Sequence, residues 1–266
     1  LTTTPCSLPS TPQTLWETIC LPDGYGCNGY GTLLAYLDQA RAAQLVILDV
    51  VGQGERARVI VPCNCPAGRA VAERWRGLPD EATGIYLDNG RIRRIAEQKK
   101  ALAEIRAFVT EPRGWLTLAG GYGVGKTRLM YAALNHLADR GIYGRYVMMP
   151  ELLDELRNAV GTNLYGERLR RLVAAPILAI DELDKMRDSD FVDDVVHAIF
   201  LARYRDRGQL GTLIGYNLAG EARIPPFLVS RIRDSRFRLV ELGGVDLRPI
   251  AHKLDPWERG DGEAPQ

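Results

Sequence analysis

One short string constrains the architecture of this chain more tightly than any other. Residues 120 to 127 read Gly-Gly-Tyr-Gly-Val-Gly-Lys-Thr, which has the spacing G-x-x-x-x-G-K-[ST]. Small residues let the backbone curl until several N–H groups converge on one point, where an anion is held against the start of a helix. The flanks agree. Trp115-Leu116-Thr117-Leu118-Ala119 reads as a buried strand, and Leu129, Ala132, Ala133 and Leu137 recur at helical spacing between Lys126 and Arg140. Strand, glycine loop and helix in that order form a phosphate-binding unit. The candidate nucleotide-binding residues are therefore Gly120, Gly121, Tyr122, Gly123, Val124, Gly125, Lys126, Thr127 and Arg128. Lys126 brings an ammonium to the phosphates and Thr127 a hydroxyl to Mg²⁺, so ATP and Mg²⁺ are the expected cofactors.

Beyond Trp115 strands and helices alternate. Strands are predicted at 115–119, 144–149, 176–181, 211–216 and 236–242, and helices at 126–140, 150–159, 166–174, 190–207 and 226–234. Such alternation implies an α/β domain with a parallel sheet covered by helices, its ligands at the carboxyl ends of the strands. Upstream, Ile92 to Val109 reads as a basic amphipathic helix and Arg69 to Arg76 as a short one. Gln44 to Val51 and Arg56 to Val61 flank Gly52-Gln53-Gly54-Glu55, a hairpin signal. The domains expected are a flexible tail at 1–19, a small β-rich, Cys-containing module at 20–76, the phosphate-loop domain at 77–249 and a flexible tail at 250–266.

A phosphate loop that hydrolyses its nucleotide also needs carboxylates. The apolar run Pro176-Ile177-Leu178-Ala179-Ile180 ends in Asp181-Glu182, which places Asp181 beside Thr127 and the metal. Neighbouring residues point differently, so Glu182 is left to polarise the attacking water as a general base. Gly211 to Tyr216 is the next apolar strand, and Asn217 is its polar tip, placed to hydrogen-bond that water or the γ-phosphate. Residues 223 to 238 then carry Arg223, Arg231, Arg233, Arg236 and Arg238 against the single acid Asp234. A planar guanidinium reaching a neighbouring subunit's γ-phosphate offsets transition-state charge, and Arg231, then Arg233, is favoured for that role.

Net charge is only +1, with 34 basic and 33 acidic side chains, so charge alone names no partner. No apolar run approaches a membrane span and no basic-then-apolar leader opens the chain, from which a cytoplasmic protein is expected. Cys20 and Cys27 precede the hairpin while Cys63 and Cys65 follow it. Four thiolates suit tetrahedral Zn²⁺, although C-x₆-C and C-x-C depart from the usual pairs and free thiols in a reducing compartment are the alternative.

Together, Gly120 to Thr127, Ile177 to Glu182, Asn217 after its strand and Ser230-Arg231-Ile232-Arg233 resemble the AAA+ ATPases of the DnaC/DnaI helicase-loader and IstB-like group. The resemblance covers about residues 77 to 249, including Gly77-Leu78-Pro79 and Gly243 to Pro249 at its edges. It implies that Lys126 and Thr127 belong to Walker A, Asp181 and Glu182 to Walker B, that Asn217 is sensor 1 and that Arg231 is a finger acting in trans within a homo-oligomer. Only 24 residues follow Leu242, so the helical lid of most AAA+ proteins is not expected. The resemblance further implies a loader that hydrolyses ATP, grips single-stranded DNA and docks a replicative DNA helicase, with Arg157, Arg170, Arg171, Lys185 and Arg187 as the best cations for the DNA groove. The alternative within the group is an IstB-like transposition helper whose partner is a transposase. DnaI-like loaders also carry zinc modules, which favours metal at the four cysteines.

Overall fold

The glycine loop leaves the carboxyl end of a strand that is buried from its second residue to its last. In the computed structural model, which describes residues 32–36, 40, 48–51, 58–62, 66–87, 99–244 and 246, this strand is the fourth in chain order. Three strands precede it, β1 (Thr32–Tyr36), β2 (Asp49–Val51) and β3 (Arg58–Pro62), followed by helices α1 (Pro66–Arg76) and α2 (Lys99–Thr110). Then come β4 (Gly114–Gly120), α3 (Lys126–Asp139), β5 (Gly144–Met148), α4 (Met149–Ala159), α5 (Asn163–Ala174) and β6 (Ile177–Asp181). The series ends with α6 (Asp190–Arg205), β7 (Gly211–Asn217), α7 (Pro226–Ile232) and β8 (Arg238–Leu242).

The larger sheet has the order β5-β6-β7-β4-β8, and every neighbouring pair is parallel. Side chains on successive strand residues point to opposite faces, and the core divides accordingly. Leu116 and Leu118 of β4, Ala179 of β6 and Leu213 of β7 face a layer made by α2 and α3, through Ile105, Phe108, Leu129 and Leu137. Trp115, Leu178, Ile180 and Ile214 face the opposite layer, through Leu156, Val196, Ile199, Phe200 and Leu228. Trp115 stacks on Phe237 with ring centroids 5.0 Å apart. Both faces are thus covered, as an all-parallel sheet requires.

The smaller sheet has the antiparallel order β1-β3-β2, and Val51 pairs with Arg58 as a hairpin would have it. Helix α1 contacts both β3 and β5. Arg76 at its end donates to Asn135 Oδ1 at 2.6 Å, and Asn135 Nδ2 donates to the carbonyls of Ala82 and Ile85 at 2.8 and 2.9 Å. Residues 76 to 85 are thereby fastened to α3.

Helix α5 begins three residues before the expected 166 because Thr162 caps it, its hydroxyl accepting from the Leu164 N–H at 3.2 Å. The predicted start of the helix at 92, the four cysteines of the zinc expectation and both expected tails lie outside the described residues. Among the described residues no group of three or more His, Cys, Asp or Glu could hold a metal ion, and no helix is long and apolar enough to cross a membrane.

Candidate nucleotide site

The loop between β4 and α3 turns through two left-handed glycines, Gly123 at φ +68° and Gly125 at φ +94°. A side chain at either position would be strained, and the turn they permit aims the chain's N–H groups at the start of α3. Lys126 and Thr127 are the first two residues of that helix. The Lys126 ammonium donates to the carbonyls of Gly120 at 3.0 Å and Gly121 at 2.6 Å. The Asp246 carboxylate lies against Gly123, in the space that a Cβ there would need.

Strand β6 ends two strands away from β4, yet its last residue meets the loop. Thr127 Oγ1 donates to Asp181 Oδ2 at 2.6 Å, and the Tyr146 hydroxyl donates to the same oxygen at 3.3 Å. Asp181 Oδ1 accepts from the Glu182 N–H at 2.8 Å. Asp181 is 2% exposed, so every contact it makes counts. Adjacent corners of an octahedron with metal–oxygen bonds of ~2.1 Å are about 3 Å apart, so the Thr127 and Asp181 oxygens, hydrogen-bonded at 2.6 Å, would need to part by only a few tenths of an ångström to share one Mg²⁺. The donor set, a hydroxyl and a carboxylate, is also of the hard oxygen type that Mg²⁺ selects.

Burial, then the charge of Asp181, pushes the Tyr146 phenol well above its ordinary range. Tyr131, packed edge-on against it, is pushed up to about 12, again chiefly by burial. Both phenols are protonated donors at neutral pH, and neither was visible as a site residue in the sequence. The only trace of Tyr146 is its place on the strand neighbouring β6, where Met148 pairs with Asp181.

Glu182 adopts φ 55°, ψ 38°, and is the only non-glycine among the described residues with positive φ. Asn217 closes β7 in register opposite Gly120. Its Oδ1 accepts from the Ala219 N–H at 3.0 Å, its own N–H donates to Asp184 Oδ1 at 2.7 Å, and its Nδ2 is buried without an acceptor among the described residues. Lys126, Thr127, Asp181 and Glu182 are thus drawn together, with Asn217 at the tip of the strand between the loop and the acidic turn.

Arg231 is not part of that cluster. Its guanidinium donates to the Phe227 carbonyl at 2.9 Å and lies 5.3 Å from the ring centroids of both Tyr204 and Phe227. Arg233 pairs with Glu221 at 2.7 Å. Of the cations expected to face DNA, Arg157 pairs with Asp154, Arg171 with Glu167, and Lys185 donates to the Tyr122 hydroxyl at 2.8 Å. Arg187 instead lines a cavity of about 630 Å³ with His197, Arg223 and Phe227.

No family model matches the chain. It is 31% identical over 104 residues to the replicative helicase loader DnaI of Bacillus subtilis (strain 168), a match that covers 39% of this chain. The match spans only a third of that relative's length, 33%. Among solved structures, a DnaC helicase loader is 25% identical with a TM-score of 0.52, over 62% of this chain and 100% of that one. A DNA replication initiation factor is 18% identical with a TM-score of 0.52, over 64% of this chain and 54% of the other, a likeness of fold alone. The phosphate loop, the acidic turn and the sheet order give this chain the parallel-sheet α/β fold of AAA+ P-loop ATPase domains, and in sequence and fold it is similar to the DnaI and DnaC helicase loaders.

Proposed function

We propose that this protein hydrolyses ATP to load a replicative DNA helicase, acting as an oligomer on single-stranded DNA. The observation that carries the reading is the 2.6 Å hydrogen bond from Thr127 to Asp181, which closes the phosphate loop onto a strand that ends in a second carboxylate. The likenesses to DnaI and DnaC favour a helicase over a transposase as the partner.

In this reading the N–H groups of residues 121 to 127 cradle the phosphates, and Lys126 exchanges its two loop carbonyls for phosphate oxygens. Thr127 and Asp181 would hold Mg²⁺, which would supply charge neutralisation to the phosphates. Glu182 takes a proton from the attacking water, and the unused Asn217 amide donors orient that water or a γ-phosphate oxygen. Arg231, second Arg233, completes the site of the neighbouring protomer. For Arg231 this requires release from Tyr204 and Phe227, for Arg233 release from Glu221.

The paired arginines of α4 and α5 fit a DNA groove as well, because exposed ion pairs are worth little and exchange readily for backbone phosphates. Single-turnover ATP hydrolysis by the full chain, with and without single-stranded DNA and the host's replicative helicase, tests the proposal. Wild type is expected to release phosphate and to deposit the helicase on DNA, with Lys126→Ala losing both. Turnover that survives Lys126→Ala, or helicase loading that ignores ATP, overturns it.

A further inference from the structure

Asp184 stands three residues past Asp181, in a 3₁₀ turn formed by Leu183–Lys185, and nothing in the sequence sets it apart from an ordinary turn acid. Its surroundings do. It is 2% exposed, and its Oδ1 accepts the backbone N–H of Asn217 at 2.7 Å. The pairing of β6 with β7 stops at Ile180 opposite Ile214, three residues short of Asn217. Where the ladder runs out, the Asp184 carboxylate replaces it as acceptor for the end of β7. Among the described residues its other oxygen, Oδ2, is buried without a hydrogen-bond partner, and so is Asn217 Nδ2. Burying a carboxylate with one oxygen unsatisfied costs stability, so stability alone does not account for an acid here.

The turn is also closed from outside. A Cβ on Gly220 would lie 2.5 Å from Asp184 Oδ2 and 2.6 Å from Asp184 Cβ. Only glycine lets the 3₁₀ helix Leu218–Arg223 approach the carboxylate this closely. Asp184 is therefore wedged between the turn that begins at Glu182 and the residues that follow Asn217.

We propose that Asp184 is a positioning residue for hydrolysis, its buried carboxylate fixing the backbone of Asn217 to the turn that carries Glu182. The inference rests on the proposed role of Glu182 and Asn217 in ATP hydrolysis. The unused Asn217 amide donors can aim at a γ-phosphate oxygen or the attacking water only while the backbone beneath them is fixed relative to Glu182. Displacement by an ångström at such a contact costs on the order of a hundredfold in rate while leaving ground-state binding largely intact.

The test uses the full chain with Mg-ATP and reads kcat, KM and nucleotide affinity for Asp184→Ala, Asp184→Asn and Gly220→Ala, with Glu182→Gln as the control. Asp184→Ala is expected to lower kcat about 10- to 100-fold with KM and affinity changed less than about twofold. Asp184→Asn keeps a carbonyl oxygen for the Asn217 N–H and is expected to restore most of the rate. Gly220→Ala, which pushes the intact carboxylate from the other side, is expected to reproduce the kcat defect, and it decides the matter should Asp184→Ala fail to fold. A kcat within twofold of wild type in folded Asp184→Ala and Gly220→Ala, or an Asp184→Asn no better than alanine, overturns the proposal. Wild type and Glu182→Gln with equal turnover would instead remove the reading on which it rests.

Discussion

Glu182 sits where an L-residue is unwelcome, and that makes it possible to separate its catalytic from its structural effect. At φ 55°, ψ 38° its Cβ crowds the following carbonyl, a conformation that costs roughly 1–2 kcal/mol relative to the right-handed region. Glycine removes that strain but loses about 0.5–1 kcal/mol through the greater freedom of the unfolded chain. The Glu182 N–H to Asp181 Oδ1 bond is made by the backbone and survives the change. Glu182→Gly is therefore expected to stabilise the domain by roughly 0.5–1 kcal/mol, while Glu182→Gln leaves stability unchanged and Glu182→Ala differs little from it. Both Gly and Gln remove the proposed base, an expected loss of about 10²- to 10⁴-fold in turnover. At 1.36 kcal/mol per tenfold this is roughly 3–5 kcal/mol of barrier. Urea unfolding at constant slope reads the first effect, and single-turnover phosphate release reads the second. Stability and activity should move in opposite directions for Glu182→Gly. A glycine variant destabilised by a kilocalorie, or one retaining full turnover, would refute the reasoning.

Arg203 is fully buried and donates to Thr212 Oγ1 and to the carbonyls of Leu172, Val173, Ala175 and Gly211, so Arg203→Ala strands several acceptors and should cost roughly 3–5 kcal/mol in denaturant unfolding. Burial pushes the Arg203 guanidinium down from its ordinary value, but its five acceptors hold it as the cation, so at pH 7 it contributes no slope to stability. Asp246→Ala removes the carboxylate that lies against Gly123, where an incoming phosphate would meet it, and should tighten binding of a fluorescent ATP analogue several-fold; unchanged affinity would show that the contact does not compete. Affinity for single-stranded DNA should fall steeply between low and moderate salt, and salt-independent binding would remove the arginine groove.

The local signals in the sequence were strong where chemistry and secondary structure coincide. The glycine loop, the acid pair after an apolar strand and the polar tip at Asn217 are each written in a few consecutive residues, and alternating strand and helix patterns announced the parallel sheet. The strand order was not written there. Strand β5 follows β4 in the chain but pairs with β6 at the sheet edge, because long-range packing of two helical layers, not local propensity, selects neighbours. Tyr146 and Asp184 were missed for the same reason. One reaches Asp181 across a strand boundary, and the other takes its meaning from an N–H that lies 33 residues away in the chain. Arg203 is subtler still, since its helix segment Leu-Ala-Arg-Tyr-Arg reads as a solvated face until the loop before β6 folds over it.

These contacts divide the site into a part that is set and a part that must move. The Asp181 and Asp184 carboxylates accept the backbone N–H groups of Glu182 and Asn217 at the ends of two buried parallel strands, and buried acids held in this way do not move independently of the strand ends. Lys126 is different. Its ammonium is satisfied by the carbonyls of its own loop, and a charged hydrogen bond is worth roughly 1.5–3 kcal/mol, so the exchange for phosphate oxygens is close to balanced until the dipole of α3 and the metal add their share. The loop can therefore hold its shape without nucleotide and surrender Lys126 when the phosphates arrive. Arg231 and Arg233 are in the same position, held by Tyr204 and Phe227 and by Glu221. In the proposed mechanism the chemistry thus depends on cations that change partners around carboxylates that do not, which would let a neighbouring protomer or DNA alter the rate of hydrolysis without rebuilding the proposed base.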